Sequence, residues 1–304
     1  MKYGVPQGGV LSPLLFALFV NDLESFLISP ESSAKLTLYA DDATVAISAS
    51  SLDELARTSN DILSKFSEWC KSNHLVVNAT KTHYMIFYRK REVPDLNLTL
   101  DGNRIERVEQ CRFLGLYLDS QLKWTAHVDF VAGKLNSAYY AIVNLKSFMD
   151  TKNLLNIYYD LAYSHLSYLI LYWGQTTELE RLFILQKRII RKIYTLSPIQ
   201  SCKQSFQRYK ILACLVLLFS VQSCLLKKNL NTFPITSSVH NRNTRSTHLI
   251  HIPCYKTTLY RKSPYCFCAN FYNALPENLR VIPKLKLCSK EKSRAIFWKK
   301  KIMM

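Results

Sequence analysis

The amino-acid sequence predicts an α+β fold in which β-hairpins with flanking helices come first and a mostly α-helical region with a basic tail follows. Residues 35–47 alternate apolar and polar side chains on either side of a tight turn, as two half-buried strands do. From residue 154 onward, apolar residues recur at helical steps. Charge also changes along the chain: residues 1–150 hold 15 Lys and Arg against 17 Asp and Glu, whereas residues 151–304 hold 25 against 5.

The turn between the two strands carries the candidate chemistry. It consists of Tyr39, Ala40, Asp41 and Asp42. Two adjacent carboxylates at the tip of a hairpin form a hard, oxygen-rich and doubly negative point, which Mg²⁺ prefers and which nucleotidyl transfer uses to gather metal ions around a polyphosphate. The alternative is a solvated turn with two acidic residues and no function.

A glycine-bearing segment, residues 4–13, runs directly into the apolar residues 14–23. Glycine lets a backbone approach a ligand closely, and Ser12 with Pro13 predicts an N-cap and first turn that open a helix. A helix N-terminus facing such a loop suits phosphate groups. The alternative is an ordinary junction between a loop and a helix.

Together, in this order and at this separation, the two motifs resemble the palm of reverse transcriptases. The resemblance implies that Asp41 and Asp42 are catalytic and bind the metal, with Mg²⁺, or Mn²⁺ in its place, as cofactor. It also implies that RNA template, DNA primer and deoxynucleoside triphosphate are the partners. The residues that it assigns to binding of template and nucleotide are Pro6, Gln7, Gly8, Tyr39 and Ala40.

Further segments extend the resemblance. Residues 51–54 fit a capping box, and apolar residues at 55, 62, 66 and 69 predict an amphipathic helix of about five turns that ends near residues 72–73. Residues 75–87 read as a loop with strands on either side, and they resemble the motif whose lysine, here Lys81, protonates the departing pyrophosphate. The alternative for Lys81 is a solvated surface charge.

Residues 111–119 resemble the hairpin that grips the primer in this family. The residues implied for that role are Phe113, Leu114 and Gly115. The alternative is a pair of strands joined by one permissive glycine.

Residues 20–23, 78–82 and 113–115 are typical of the non-LTR retrotransposon branch, especially of jockey-like and related LINE elements. Residues 163–168 and 185–191 resemble the helical thumb of those elements. The resemblance implies three regions: a partial palm at 1–119, a helical thumb or connection at 120–231, and a basic linker and tail module at 232–304.

In the family, a first palm strand with another catalytic Asp precedes the glycine motif, whereas here three residues precede Gly4. Two-metal catalysis needs carboxylates from two strands. We therefore expect a C-terminal part of an RNA-directed DNA polymerase that is incomplete as given. The alternative is a catalytically dead, basic remnant that only binds RNA or DNA, since a basic region attracts phosphates regardless of sequence.

Two apolar stripes predict helices of the thumb. One comprises Leu154, Tyr158, Leu161, His165 and Leu169, and the other comprises Leu182, Leu185, Ile189 and Ile193. The sixteen mostly apolar residues 211–226 are too few for a membrane span and predict a buried helix. No secretory signal opens the sequence, and nine irregularly spaced cysteines favour reduced thiols, so we expect an intracellular protein of cytoplasm or nucleus, without zinc and without membrane insertion.

Overall fold

A computed structural model describes residues 4–6, 8–87, 94–239, 248–255 and 257–276. The chain forms two compact units, Met1–Cys111 and Arg112–Met304, which we call unit 1 and unit 2. Both helices and strands occur, so the mixed fold class is confirmed at that level. The assignment of three regions with boundaries after residues 119 and 231 stays a prediction.

Unit 1 contains short strands and one long helix. In chain order its elements are α1 (Ser12–Phe19), α2 (Leu23–Leu27), β1 (Ala34–Tyr39), β2 (Asp42–Ile47), α3 (Leu52–Ser72), a 3₁₀ turn (Ala79–Lys81), β3 (His83–Tyr84), β4 (Thr99–Leu100), β5 (Asn103–Arg104), β6 (Glu106–Arg107) and β7 (Gln110–Phe113), which runs across the unit boundary. Strands β1 and β2 pair antiparallel, β4 and β5 likewise, and β3 pairs parallel with β6.

Unit 2 is mostly helical. Its elements are β8 (Leu116–Asp119), which pairs with β7, then α4 (Thr125–Leu145), α5 (Thr151–Tyr158), a π-helical turn (Tyr159–Tyr163), α6 (Ser164–Ser167), α7 (Ile170–Trp173), α8 (Leu179–Ile193), α9 (Lys203–Arg208), α10 (Cys214–Asn229), a 3₁₀ turn (Leu230–Thr232), α11 (Thr236–Val239), α12 (Thr258–Arg261) and α13 (Pro264–Ala274).

Helix α3 confirms the predicted amphipathic helix and its end. The Ser51 side chain accepts a hydrogen bond from the Glu54 backbone N–H at 3.2 Å, as a capping box requires. The returning contact differs, because the Glu54 carboxylate accepts from the N–H and hydroxyl of Ser50 and not from the N–H of Ser51. Ile62 and Trp69 are buried on the apolar face.

The start of α1 corrects one expectation. Ser12 is not the N-cap: Leu11 holds that position without a side-chain hydrogen bond, and Ser12 is already helical. The Ser12 hydroxyl instead donates to the Pro6 carbonyl at 2.7 Å. This hydrogen bond closes the preceding loop. It joins residues six positions apart, so the local sequence pattern did not predict it.

The first predicted stripe of unit 2 is correct at its beginning and wrong after Tyr158. Leu154 and Tyr158 are buried, but Leu161 is 47% and Leu169 37% exposed. The buried positions continue at Ala162, Leu166 and Ile170. The reason is the π-helical turn Tyr159–Tyr163. A π-helix has more residues per turn than an α-helix, so the buried positions here recur every four residues.

Helix α8 bears out the second stripe. Leu182, Ile189 and Ile193 are buried in the largest core, and Leu185 packs against it. A residue absent from the predicted stripe, Gln186, is fully buried beside them. The predicted buried helix at residues 211–226 is present as α10, which begins at Cys214. Within the described ranges, we find no helix with the length and apolar character needed to span a membrane.

Candidate functional site

The candidate catalytic turn lies at the tip of the β1–β2 hairpin. Tyr39 pairs with Asp42, so Ala40 and Asp41 form a two-residue loop. Ala40 has a φ of +51°, a left-handed conformation that costs a residue with a Cβ roughly 1–2 kcal/mol. The tight turn presents the side chains of both aspartates, and Tyr39 is 65% exposed.

Both carboxylates are available for a ligand. Asp41 and Asp42 are exposed, and no described residue forms a hydrogen bond or salt bridge with either side chain. Magnesium commonly binds one or two carboxylates and completes its octahedron with water and substrate phosphates. The oxygen donors at this tip therefore fit Mg²⁺ in chemistry. Over the part of the chain that is described, no cluster of three or more His, Cys, Asp or Glu residues suits a metal ion.

The glycine loop is closed by two hydrogen bonds to one carbonyl within it. The Pro6 carbonyl accepts from the Gly9 N–H at 3.2 Å and from the Ser12 hydroxyl. Gly8 is exposed with a φ of +82°, which favours glycine. Gln7, which the resemblance assigns to nucleotide binding, lies outside the described residues.

One core of unit 1 connects the glycine loop with the hairpin. The helices that follow the loop contribute Val20, Leu23 and Leu27, and the hairpin contributes Leu36 from β1. Trp69 of α3 completes this cluster, and Val45 of β2 packs against it. The hairpin and the helical segment that follows the glycine loop therefore share one hydrophobic core.

Lys81 lies in a 3₁₀ turn that Asn78 caps. The Asn78 side-chain oxygen accepts from the backbone N–H groups of Thr80 at 3.1 Å and Lys81 at 3.3 Å. The Thr82 hydroxyl returns a hydrogen bond to the Asn78 carbonyl. Lys81 is exposed, while Val77 just before the turn packs against both cores of unit 1. The expected strand after this loop is present as β3, but residues 75–78 form no strand.

The predicted primer-gripping residues Phe113, Leu114 and Gly115 form the turn between β7 and β8. Leu114 has a φ of +45° and Gly115 one of +84°, so two successive residues adopt left-handed conformations. We call residues 113–115 the grip turn. All three belong to unit 2.

His127, which belongs to no motif recognised in the sequence, supports β8. His127 of α4 is 2% exposed, and its Nδ1 accepts from the Tyr117 N–H at 3.4 Å. Its Nε2 is buried without a hydrogen-bond partner among the described residues. Burial, with a smaller contribution from His165, lowers the pKa of His127 to about 4, so it is neutral near pH 7.

Positive charge dominates the second half of the chain, and one long stretch of it contains no acidic residue. Residues 181–276 contain 15 Lys and Arg and no Asp or Glu. On α8, Lys187 lies 4.6 Å from the ring centroid of Phe183, and Arg188 lies 4.1 Å from that of Tyr139. Burial and then the charge of Lys192 lower the pKa of Lys146. The aromatic rings therefore position Lys187 and Arg188 on α8, and such a concentration of positive charge attracts polyanions.

Comparisons with known proteins show which family the first part of the chain resembles. Residues 1–118 match the family model described as reverse transcriptase (RNA-dependent DNA polymerase). The chain is also 30% identical over 202 residues to a probable RNA-directed DNA polymerase from transposon BS of Drosophila melanogaster, an alignment that covers 64% of this chain and 22% of that protein. No solved structure matches the chain.

Two further relatives come from the same group of elements. A probable RNA-directed DNA polymerase from transposon X-element of Drosophila melanogaster is 26% identical over 195 residues, covering 62% of this chain and 21% of that protein. The RNA-directed DNA polymerase from mobile element jockey of Drosophila funebris is 25% identical over 202 residues, covering 64% and 22%. The chain thus spans about a fifth of the length of the curated relatives it matches.

The match at residues 1–118 makes this part of the chain a reverse transcriptase segment. The relatives are described as RNA-directed DNA polymerases of transposons and mobile elements, and this similarity supports a reverse transcriptase of the non-LTR type.

Proposed function

We propose that this chain contributes to RNA-directed DNA synthesis by template-directed nucleotidyl transfer. The observation that carries the proposal is the pair Asp41 and Asp42, which lie exposed at a hairpin tip, without partners among the described residues, inside the segment that matches reverse transcriptases. In this proposal unit 1 is part of a polymerase palm, and unit 2 supplies a helical thumb with a basic tail.

Asp41 and Asp42 would hold Mg²⁺, which when bound neutralises charge on the triphosphate and on the attacking and leaving oxygens. The hydroxyl at the primer end loses its proton to solvent water, its oxygen forms a new bond to the α-phosphorus, and the bond from that phosphorus to pyrophosphate breaks. Lys81 donates a proton to the departing pyrophosphate, and the Asn78 cap, which fixes the Lys81 backbone N–H, supports this role by holding the residue in place. Pyrophosphate leaves with the bonding electron pair.

The remaining site residues orient the reactants. Pro6 and Gly8 lie in an exposed, closed loop that supports contact with the template and incoming nucleotide, and we assign Gln7 to the same role from the family motif. Tyr39 and Ala40 shape the tip beside the nucleotide. The grip turn holds the primer end.

A second candidate is nucleic-acid binding without catalysis. Charge favours it, because the stretch of 96 residues from 181 to 276 has cations and no carboxylate side chain. Such a surface gives salt-sensitive affinity for any phosphate backbone. We also infer that the protein acts inside the cell, since polymerase substrates are intracellular and the nine cysteines have no regular spacing that would indicate a disulfide framework.

Primer extension on an RNA template with Mg²⁺ tests the first proposal. The wild-type chain is compared with the double variant Asp41→Asn/Asp42→Asn, and an Asp53→Asn variant, which removes one exposed charge at the start of α3, serves as the control. Any extension that the wild type catalyses should be retained by the control and lost in the double variant. Extension that persists in the double variant would refute the assigned role of the hairpin.

Duplex binding measured alongside separates the two candidates. If the wild type does not extend the primer but binds an RNA–DNA duplex with an affinity that falls steeply with salt, the second candidate is the function of this chain. If it neither extends nor binds, both proposals are wrong.

A further inference from the structure

The grip turn has a backbone that needs external support. Leu114 and Gly115 both have a positive φ, and for leucine this conformation is unfavourable. A short hairpin with such a turn is at best marginally stable by itself in water. The helices of unit 2 must therefore fix it.

Tyr168 contacts the turn directly. Its hydroxyl donates a hydrogen bond to the Leu114 carbonyl at 2.6 Å. Its ring lies so close to Gly115 that a Cβ at that position would be 3.3 Å from Tyr168 Cε1. Glycine at 115 therefore meets two demands, a positive φ and room for the tyrosine ring.

Tyr168 is itself anchored in the core of unit 2. It lies at the break between α6 and α7, where Leu169 has a φ of +47°. The indole N–H of Trp173, a residue with 0% exposure, donates to the Tyr168 carbonyl at 2.9 Å. Tyr168 is thus hydrogen-bonded at its carbonyl to a buried tryptophan and at its hydroxyl to the grip turn.

His127 provides a second hold on the same hairpin through the Tyr117 N–H on β8. The strand is therefore fixed from α4 and the turn from the α6–α7 break. Of His127 and Tyr168, only Tyr168 forms a hydrogen bond with a residue of the turn itself. Because it is 47% exposed, its hydroxyl bond can be altered without opening the core.

We propose that Tyr168 is a positioning residue that holds the grip turn in the conformation that receives the primer end. This inference rests on the primer-holding role proposed above for residues 113–115. Tyr168 acts through Leu114 and Gly115. Its hydroxyl holds the Leu114 carbonyl by a hydrogen bond, and its ring packs against Gly115.

The test uses the full chain and three variants, Tyr168→Phe, Tyr168→Ala and Tyr172→Phe. The first removes the hydroxyl and keeps the ring, the second removes both, and the third deletes a hydroxyl from a neighbouring tyrosine that is 51% exposed. Binding is measured to an RNA–DNA duplex with a recessed primer end and to the same duplex with blunt ends. Hydrogen exchange of peptides covering residues 113–117 and of α8 is measured in parallel.

We expect the wild type to prefer the recessed end, and Tyr168→Phe to lower that preference roughly threefold, as loss of one partly exposed hydrogen bond implies. Tyr168→Ala should abolish the preference. In both variants exchange should rise in residues 113–117 and stay unchanged in α8, while blunt-duplex binding and Tyr172→Phe match the wild type. A purely structural role would not separate recessed from blunt ends.

Two results would overturn the proposal, and they distinguish failure of the Tyr168 role alone from failure of the primer-holding role. If the wild type prefers recessed ends and both Tyr168 variants retain that preference, Tyr168 does not position the turn. If the wild type has no such preference, the primer-holding role of the grip turn is wrong, and the function assigned to Tyr168 is wrong with it.

Discussion

Replacing Gln186 by leucine should destabilise unit 2 strongly, because this amide satisfies three groups in the core. Its Nε2 donates to the Tyr158 hydroxyl and to the Leu212 carbonyl, both at 2.8 Å, and its Oε1 accepts from the Cys214 N–H at 3.0 Å. Gln186, Tyr158 and Cys214 are all 0% exposed, whereas Leu212 is only partly buried. The substitution thus leaves two groups without partners in a place that water does not reach.

Each buried group that loses its partner costs about 1–3 kcal/mol. Burying leucine in place of glutamine recovers about 1 kcal/mol of this. We therefore expect a loss of about 3 kcal/mol in the free energy of opening unit 2. Tyr158→Phe removes one of the two unpaired groups, so the double variant should be less destabilised than the sum of the single variants.

Hydrogen exchange of α8 peptides measures this free energy directly. At roughly tenfold per 1.4 kcal/mol, exchange limited by opening should accelerate by about 150-fold in Gln186→Leu. Leu185→Met, a partly buried neighbour with no polar atoms, is the matched control and should change exchange little. Acceleration of less than about fivefold, or strict additivity with Tyr158→Phe, would refute the reasoning.

Two further predictions concern His127 and Asn78. Because the folded pKa of His127, about 4, lies below its value of 6.5 in the unfolded chain, its stabilising contribution is complete above pH 6.5 and is lost as the pH falls toward 4. Wild-type stability should therefore fall by about 3 kcal/mol more than that of His127→Gln over this interval in urea titrations, and equal slopes would contradict the assigned pKa. Asn78→Ala removes a cap worth about 1 kcal/mol and should slow primer extension by displacing Lys81, whereas Asn78→Asp keeps the acceptor and should preserve the rate. Equal rates for the two Asn78 variants would show that the cap does not position Lys81.

Features set by neighbours in the sequence could be predicted. The hairpin at Asp41 and Asp42, the Ser51 cap and the end of α3 depend on local alternation, capping and periodicity. The same holds for the apolar face of α8. These signals operate within one or two turns of chain, so a single sequence contains them.

Features set by tertiary contacts could not be predicted. A π-helical turn after Tyr158 shifted the buried face, and no local signal in the sequence announced it. The Ser12 hydroxyl donates to a carbonyl six residues earlier and does not cap α1. Gln186 and Tyr168 have partners 28 and 54 residues away, so each reads locally as an ordinary polar or aromatic residue.

Mn²⁺ titration followed by electron paramagnetic resonance will show whether the hairpin tip binds a divalent cation for nucleotidyl transfer. The chain is bound to an RNA–DNA primer duplex with a non-hydrolysable nucleoside triphosphate, and free Mn²⁺ is measured for the wild type and for Asp41→Asn/Asp42→Asn. We expect the wild type to bind Mn²⁺ beyond the amount that duplex and nucleotide hold alone, and the double variant to lose this excess. Equal Mn²⁺ binding by the two proteins would show that Asp41 and Asp42 do not bind the cation.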